Sequence, residues 1–167
     1  MRYSHAMNPA VLSSSSSIAI AFLASVFIYI MFLGLLFLWL IDGRIKKEQV
    51  LHALMAVGLV WVFTEVIKSL LPIPRPFLNN GFPPLTLTIP QDHSFPSFHA
   101  AAAFALSTSI WLHDKKTGIW FILFAAIVAW GRILGNVHYL GDVLVGILIG
   151  IMTANVIEKL HLGKFVK

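Results

Sequence analysis

IAIAFLASVFIYIMFLGLLFLWLI, the stretch from Ile18 to Ile41, runs 24 residues without one charged side chain. A hydrocarbon core of roughly 30 Å takes about 20 residues of helix at 1.5 Å each. The stretch is therefore long enough to cross a bilayer. It is much longer than the roughly 7–15 apolar residues of a secretory leader, and no small-residue cleavage site follows it. It ends on Asp42-Gly43-Arg44-Ile45-Lys46-Lys47, a flank that reads as a stop to further translocation.

The rest of the 167-residue chain has the same character. Hydrophobic residues make up 58% and charged residues 11%, and the mean hydropathy is +0.85. A soluble domain is nearer half apolar and a quarter charged. Disorder, a secreted disulfide scaffold and most soluble enzymes are thereby excluded. The absence of cysteine also removes disulfides, thiol catalysis and thiolate metal sites.

Four further apolar segments follow, at about Val50–Leu71, Pro96–Leu112, Gly118–Leu134 and Tyr139–Ile157. None shows the period-two alternation of a membrane barrel strand. Because a bilayer offers no partners for exposed backbone groups, helices are expected. The expected fold is all-α, a polytopic transmembrane bundle of about five spans forming one membrane-embedded domain over residues 1–167.

The formal net charge of +5 does not require nucleic acid, because the basic residues sit in short clusters between spans. Eight of the twelve, Arg44, Lys46, Lys47, Lys115, Lys116, Lys159, Lys164 and Lys167, fall on one side of a five-span arrangement. Arg2, Lys68, Arg75 and Arg132 fall on the other. The positive-inside rule puts the larger group in the cytoplasm. Residues 1–17 would then be external, the C-terminus cytoplasmic and the protein resident in the plasma (inner) membrane. The Ser13–Ser17 run would lead into a helix cap. The connection over 72–95 would be external and holds six of the eight prolines; a loop of that length in a compact protein is usually functional.

Ionisable groups in or near a membrane cost roughly 2.5–3.5 kcal/mol each even on the lenient scale. Here they are Glu65, Lys68, Arg75, His99, Arg132, His138 and Asp142. All but Glu65 lie at the outer ends of spans two to five, so a bundle would gather them. Lys68 and Arg75, with no adjacent acid on the loop, point to an anionic partner; alternatively, Lys68 snorkels and pairs with Glu65 one turn back in a buried structural pair. Ser94-Phe95-Pro96-Ser97-Phe98-His99 opens the third span. Ser94 can cap that helix and Pro96 suits its first turn. A helix N-terminus with free N–H groups holds anions, and Ser97 and His99 would add a hydroxyl and a titratable ring. The same sequence also reads as a capped helix with an interfacial His. His138 and Asp142, four apart, would share a helical face. A carboxylate on one ring nitrogen fixes the tautomer and makes the other a nucleophile; the spacing would also suit two metal ligands, which the nearby cations oppose. Three cations, a hydroxyl, a helix N-terminus and two His suit a phosphoryl group.

At this point the chain resembles the type 2 phosphatidic acid phosphatase family. Its Lys-x6-Arg-Pro motif matches Lys68 to Arg75-Pro76. Pro-Ser-Gly-His matches Pro96-Ser97-Phe98-His99 with one departure, and Ser-Arg-x5-His-x3-Asp matches Gly131-Arg132, His138 and Asp142 with another. The motifs and their spans cover about residues 50–157. The resemblance implies that His138 is the nucleophile, held by Asp142, and that His99 is the general acid. It implies that Lys68, Arg75, Ser97, the Phe98 backbone and Arg132 bind phosphoryl oxygens, and that no metal or other cofactor is needed. It also implies a compact bacterial form with one span fewer than usual. Phe98 in place of Gly is expected to crowd the phosphate, and Gly131 in place of Ser removes a hydroxyl.

The expected function is a membrane phosphatase that hydrolyses a lipid phosphate or diphosphate at the outer leaflet through a phosphohistidine, with undecaprenyl diphosphate the first choice. Phosphatidylglycerophosphate, phosphatidate and lipid A phosphate are competing substrates. Phosphoryl transfer to a lipid acceptor is the rival activity, and a non-catalytic lipid-binding relative is a third reading. The partner is a lipid in the membrane, not nucleic acid; the sequence is silent on oligomeric state. His93 reads as a solvated loop residue, and Trp61, Trp111, Trp120 and Trp130 as lipid-facing or packing residues.

Overall fold

The structure, a computed structural model, describes residues 14–41 and 44–159. Arg2, Lys164, Lys167 and most of the expected external segment 1–17 lie outside them. Among the described residues every regular element is helical. Helix α1 is Ser15–Leu40, α2 is Arg44–Leu70, α3 is the single turn Pro76–Asn80, α4 is Phe98–His113, α5 is Lys115–Leu134 and α6 is Leu140–Glu158.

Four of these, in α1, α2, α5 and α6, are long and apolar enough to cross a membrane. The expected third span is different. Helix α4 has 16 residues, about 24 Å of helix, and sits in the middle of the bundle. Ten of the eleven positions from Ala100 to Ile110 are buried, and Phe104 is half-buried. Its Ser107, Thr108 and Ser109 therefore face protein. Helices α2, α5 and α6 all pack on it.

Small residues make that packing possible. A Cβ at Gly146 would lie 2.6 Å from the Ser97 carbonyl oxygen, and one at Gly150 would lie 2.3 Å from that of Ala101. Gly146 and Gly150 are one turn apart, so α6 presents a smooth face to the Ala-rich face of α4, as membrane helices do where lipid supplies no hydrophobic drive. The large apolar side chains, including Trp61, Trp120 and Trp130, point outward and are more than half exposed.

Cap chemistry corrects the Ser94 reading and places the cap within the serine run. The α4 N-cap is Ser97, whose Oγ accepts from the Ala100 N–H at 3.5 Å; Ser94 does not cap this helix but donates to the Asp142 carboxylate. Ser14, within the serine run, caps α1 by accepting from the Ser17 N–H at 3.2 Å.

Helix α1 contains one π turn, Phe22–Val26, and this explains Gly131. A Cβ at Gly131 would come 2.8 Å from the Leu23 carbonyl carbon and 3.0 Å from the Ala24 nitrogen. The departure from the family's Ser is thus a packing requirement, since the α1 backbone lies against this position. Gly131→Ser is expected to destabilise the chain by about 1–3 kcal/mol, the usual cost of overpacking. Thermal unfolding in detergent measures it; a midpoint equal to or above wild type would contradict this packing.

Candidate active site

Most of the motif residues meet at one end of the bundle. A cavity of about 360 Å³ is lined by Lys68, Arg75, Asp92, Phe98, His99, Arg132 and His138, with Ser25, Tyr29, Trp61, Thr86 and Thr88 at its walls. Lys68 stands near the end of α2 and Arg75 directly before α3. Phe98 and His99 are the first residues of α4, Arg132 is in the last turn of α5, and His138 is in the turn before α6. Five helix ends thus supply the set.

His138 is buried. Its Nε2 lies 3.2 Å from Arg75 Nη1. A guanidinium can only donate, so Nε2 carries the lone pair and Nδ1 the hydrogen. Nδ1 lies 3.5 Å from Asp142 Oδ2, close enough for electrostatic orientation but outside hydrogen-bond geometry. Asp142 is itself tied down, accepting from Ser94 Oγ and from the Tyr139 N–H at 2.8 Å. The expected shared helical face is not what joins these two residues. His138 precedes the N-cap Tyr139, and Asp142 occupies the third helical position, where it closes a capping box. The i, i+4 pair therefore bridges a helix start.

Burial is the main cause that pushes the His138 imidazole down to about 3. Arg132 and Arg75 act in the same direction, and Asp142 opposes them. The ring is thus neutral at ordinary pH, as a nitrogen nucleophile must be. A folded-state value below the ordinary 6.5 means that His138's contribution to stability is complete above that pH and is lost as pH falls toward 3.

Lys68 and Arg75 are not free. Asp92, from the Pro-rich loop, receives Lys68 Nζ on one carboxylate oxygen and Arg75 Nη2 on the other at 2.6 Å. Arg75 Nε donates to the Asp92 carbonyl at 2.9 Å, and Nη1 to the Val137 carbonyl at 2.8 Å. Burial raises the Asp92 carboxyl, but Arg75 and Lys68 outweigh it and hold the group down at about 2. The expected Glu65–Lys68 pair is present only as a loose contact at 4.0 Å and is not buried, because Glu65 is half exposed. Asp92 was missed by sequence reasoning, which found no acid near the two cations. The signal was present, since Asp92 is the one acidic residue between 72 and 95.

The loop is fixed by backbone bonds. The Ser94 N–H donates to the Ile73 carbonyl at 2.8 Å, and the Leu85 N–H to the Gly135 carbonyl at 2.9 Å. The Leu87 N–H reaches Ser25 Oγ at 3.2 Å. His93, next to Asp92, is exposed.

The remaining candidates divide. Arg132 is buried and donates Nη1 to the Ala24 carbonyl in the π turn, while its Nε has no hydrogen-bond partner. Ser97 is fully buried and does not line the cavity; its Oγ serves the α4 cap and its N–H donates to the Asp142 carbonyl at 3.0 Å. The Phe98 ring packs against both larger core clusters and lies edge-on to His99 at 6.0 Å. The helix N–H groups of Phe98 and His99 have no carbonyl one turn earlier within α4, and together with three cations they make an anion-accepting wall.

A family model described as the PAP2 superfamily matches residues 49–164. The bacitracin transport permease protein BcrC of Bacillus licheniformis is 33% identical over 135 residues, covering 80% of this chain and 66% of that protein. The undecaprenyl-diphosphatase BcrC of Bacillus subtilis is 31% identical over 128 residues, covering 71% and 63%. The chain therefore spans about two thirds or less of the length of these relatives. Among solved structures, LpxE of Aquifex aeolicus superposes with a TM-score of 0.70 at 29% identity, covering 91% of this chain and 87% of that one. The PAP2 type phosphatidylglycerolphosphate phosphatase of Bacillus subtilis shares the fold, with a TM-score of 0.60 at 22% identity over 95% and 82% of the two chains. With its long apolar helices, the chain is an integral membrane protein.

Proposed function

The chain belongs to the PAP2 superfamily, and on that premise we propose that it hydrolyses a lipid phosphate or diphosphate, with undecaprenyl diphosphate the first substrate to test. The observation that carries the reading is the lone-pair nitrogen of His138, presented with His99 in one cationic cavity. His138 Nε2 attacks phosphorus. The bond to the leaving oxygen breaks, and His99 gives that oxygen its proton. Water then attacks the phosphohistidine, His99 takes a proton from the water, and His138 is released with inorganic phosphate. Lys68, Arg75, Arg132 and the first N–H groups of α4 offset charge on the equatorial oxygens. Ser97 serves by holding the α4 start, and Asp142 by orienting His138. The name of the Bacillus subtilis relative supports the diphosphate choice. The Lys and Arg asymmetry supports an outward-facing site in the plasma membrane.

Purified full-length chain tested against undecaprenyl diphosphate, phosphatidylglycerophosphate, phosphatidate and lipid A phosphate is expected to release phosphate from the first most rapidly. The activity is expected to persist in EDTA and to fall with vanadate. No release from any of the four would favour the non-catalytic reading.

Asp92 occupies the cations that phosphate would use, so the two anions compete. Asp92→Asn keeps the shape and removes the charge. The two ion pairs it breaks are part-exposed, worth about 0.2–1 kcal/mol each, so inorganic phosphate is expected to inhibit at about tenfold lower concentration. Weaker inhibition would show that Asp92 holds Lys68 and Arg75 in place for phosphate instead.

A further inference from the structure

At the opposite end of the bundle three side chains from three helices converge. His52 is in the second half-turn past the start of the apolar part of α2, His113 is the last residue of α4, and Glu158 is the last residue of α6. His52 Nδ1 lies 2.9 Å from His113 Nε2. Glu158 Oε2 lies 3.0 Å from His113 Nε2 and 3.5 Å from His52 Nδ1. His52 is almost fully buried, while His113 and Glu158 keep part of their surface open.

One acceptor in this group, Glu158 Oε2, has no hydrogen-bond partner. One N–H can lie between the two rings, but the buried Glu158 Oε2 receives no hydrogen bond despite two ring nitrogens within 3.5 Å. Two ring nitrogens and one carboxylate oxygen, all able to ligate a metal, thus face one small space. Glu48, one turn before His52, adds negative charge close enough to act on His113.

We propose that His52, His113 and Glu158 form a divalent-metal site, best suited to zinc, at the end of the bundle away from the phosphatase cavity. Two imidazole nitrogens and one carboxylate oxygen are ordinary zinc ligands, with bonds of about 2.0–2.2 Å. The distances admit the ion after ring and carboxylate shifts of a few tenths of an ångström. A triangle with these sides has its centre about 1.8 Å from each atom, so an ion about 0.9 Å above its plane reaches all three at zinc bond length. Tetrahedral bonds would space the ligand atoms by about 3.3 Å, within a few tenths of an ångström of what is present. The fourth position is reached from the open side by water. No thiolate is needed, which fits a chain without cysteine.

The site is structural. It fastens α2, α4 and α6, the helices whose far ends carry Lys68, His99 and Asp142. It takes no part in phosphoryl transfer, so chelation is expected to lower stability and leave turnover at low temperature unchanged.

Full-length chain without a histidine tag, stripped with EDTA and exchanged into detergent buffer, is titrated with zinc chloride. Metal content and thermal unfolding are followed, and cobalt chloride supplies a visible spectrum. One zinc per chain, a tetrahedral cobalt spectrum and a rise of roughly 5–10 °C at a hundredfold excess over Kd are expected. His113→Ala and the conservative Glu158→Gln, both at partly open positions, should each lose the zinc-dependent rise and the cobalt spectrum while keeping metal-free activity. Absence of zinc binding at micromolar free metal overturns the proposal and leaves a proton-sharing His–His–Glu cluster. Retention of the full rise in both variants also overturns it and places the zinc elsewhere. Metal content, the cobalt spectrum and the thermal shift do not depend on the chain's being a phosphatase, so they separate this proposal from the proposed function.

Discussion

His138→Ala is expected to abolish phosphate release and leave no phosphoenzyme. Removing the nucleophile of a covalent mechanism costs on the order of 10⁶ in turnover, because positioning and cations alone remain. The effect should be the same for every substrate, since the missing bond is to phosphorus and not to the leaving group. Acid quenching of wild type during turnover with a ³²P-labelled substrate should be avoided, as phosphohistidine is acid-labile; alkaline quenching should trap label on the chain, and on the variant none. Substantial turnover in His138→Ala would remove this residue from the nucleophile's role. The fold should tolerate the change, because the ring's partners, Arg75 and Asp142, each keep other bonds. Asp142→Asn should act as a milder version. It leaves the ring in place but weakens the charge 3.5 Å from Nδ1.

His99→Ala is expected to slow the first chemical step by about 10²–10⁴-fold, the usual worth of a positioned general acid. Unlike the first loss, this one depends on the leaving group. An aryl phosphate leaves as a stable phenolate and needs little protonation, so it should recover much of the His99→Ala loss and none of the His138→Ala loss. The comparison is therefore a ratio of two rates for each variant, insensitive to the amount of active protein. If the aryl phosphate instead rescues His138→Ala and leaves His99→Ala inactive, the two roles are reversed. His99 lines the same cavity as His138, at the first turn of α4.

What could be read from the sequence were features fixed by local spacing. An uncharged run such as Ile18–Ile41 has no place but a bilayer, so membrane class and helical structure followed from composition alone. Lys68 and Arg75 are seven apart across a helix end, and His138 and Asp142 are four apart. Pairs this close stay close whether the backbone is helical or turning, so the pairing survived although the helix start fell between His138 and Asp142. Ser94 illustrates the boundary. As a serine shortly before an apolar run it had the signature of a cap, but Ser97 has the same signature three residues on. Which one caps depends on the contact between Ser94 and Asp142, 48 residues away in sequence.

Tertiary packing decided the rest. Asp92 had no reading in the sequence; the loop's bonds to Ile73, Gly135 and Ser25 bring it onto Lys68 and Arg75. Gly131 looked like a lost hydroxyl until the π turn of α1, more than a hundred residues away, was found against it. His52, His113 and Glu158 formed no motif in the sequence, since each lies on a different helix and only the packing of α2 and α6 on α4 brings them together. The physical reason is the same in each case. Sequence fixes the periodicity of a helix and the chemistry at its ends, whereas contacts between helices depend on which small residues allow close approach. Gly146 and Gly150 against the alanines of α4 set that approach here, and with it the distance between the ends of α4 and α6.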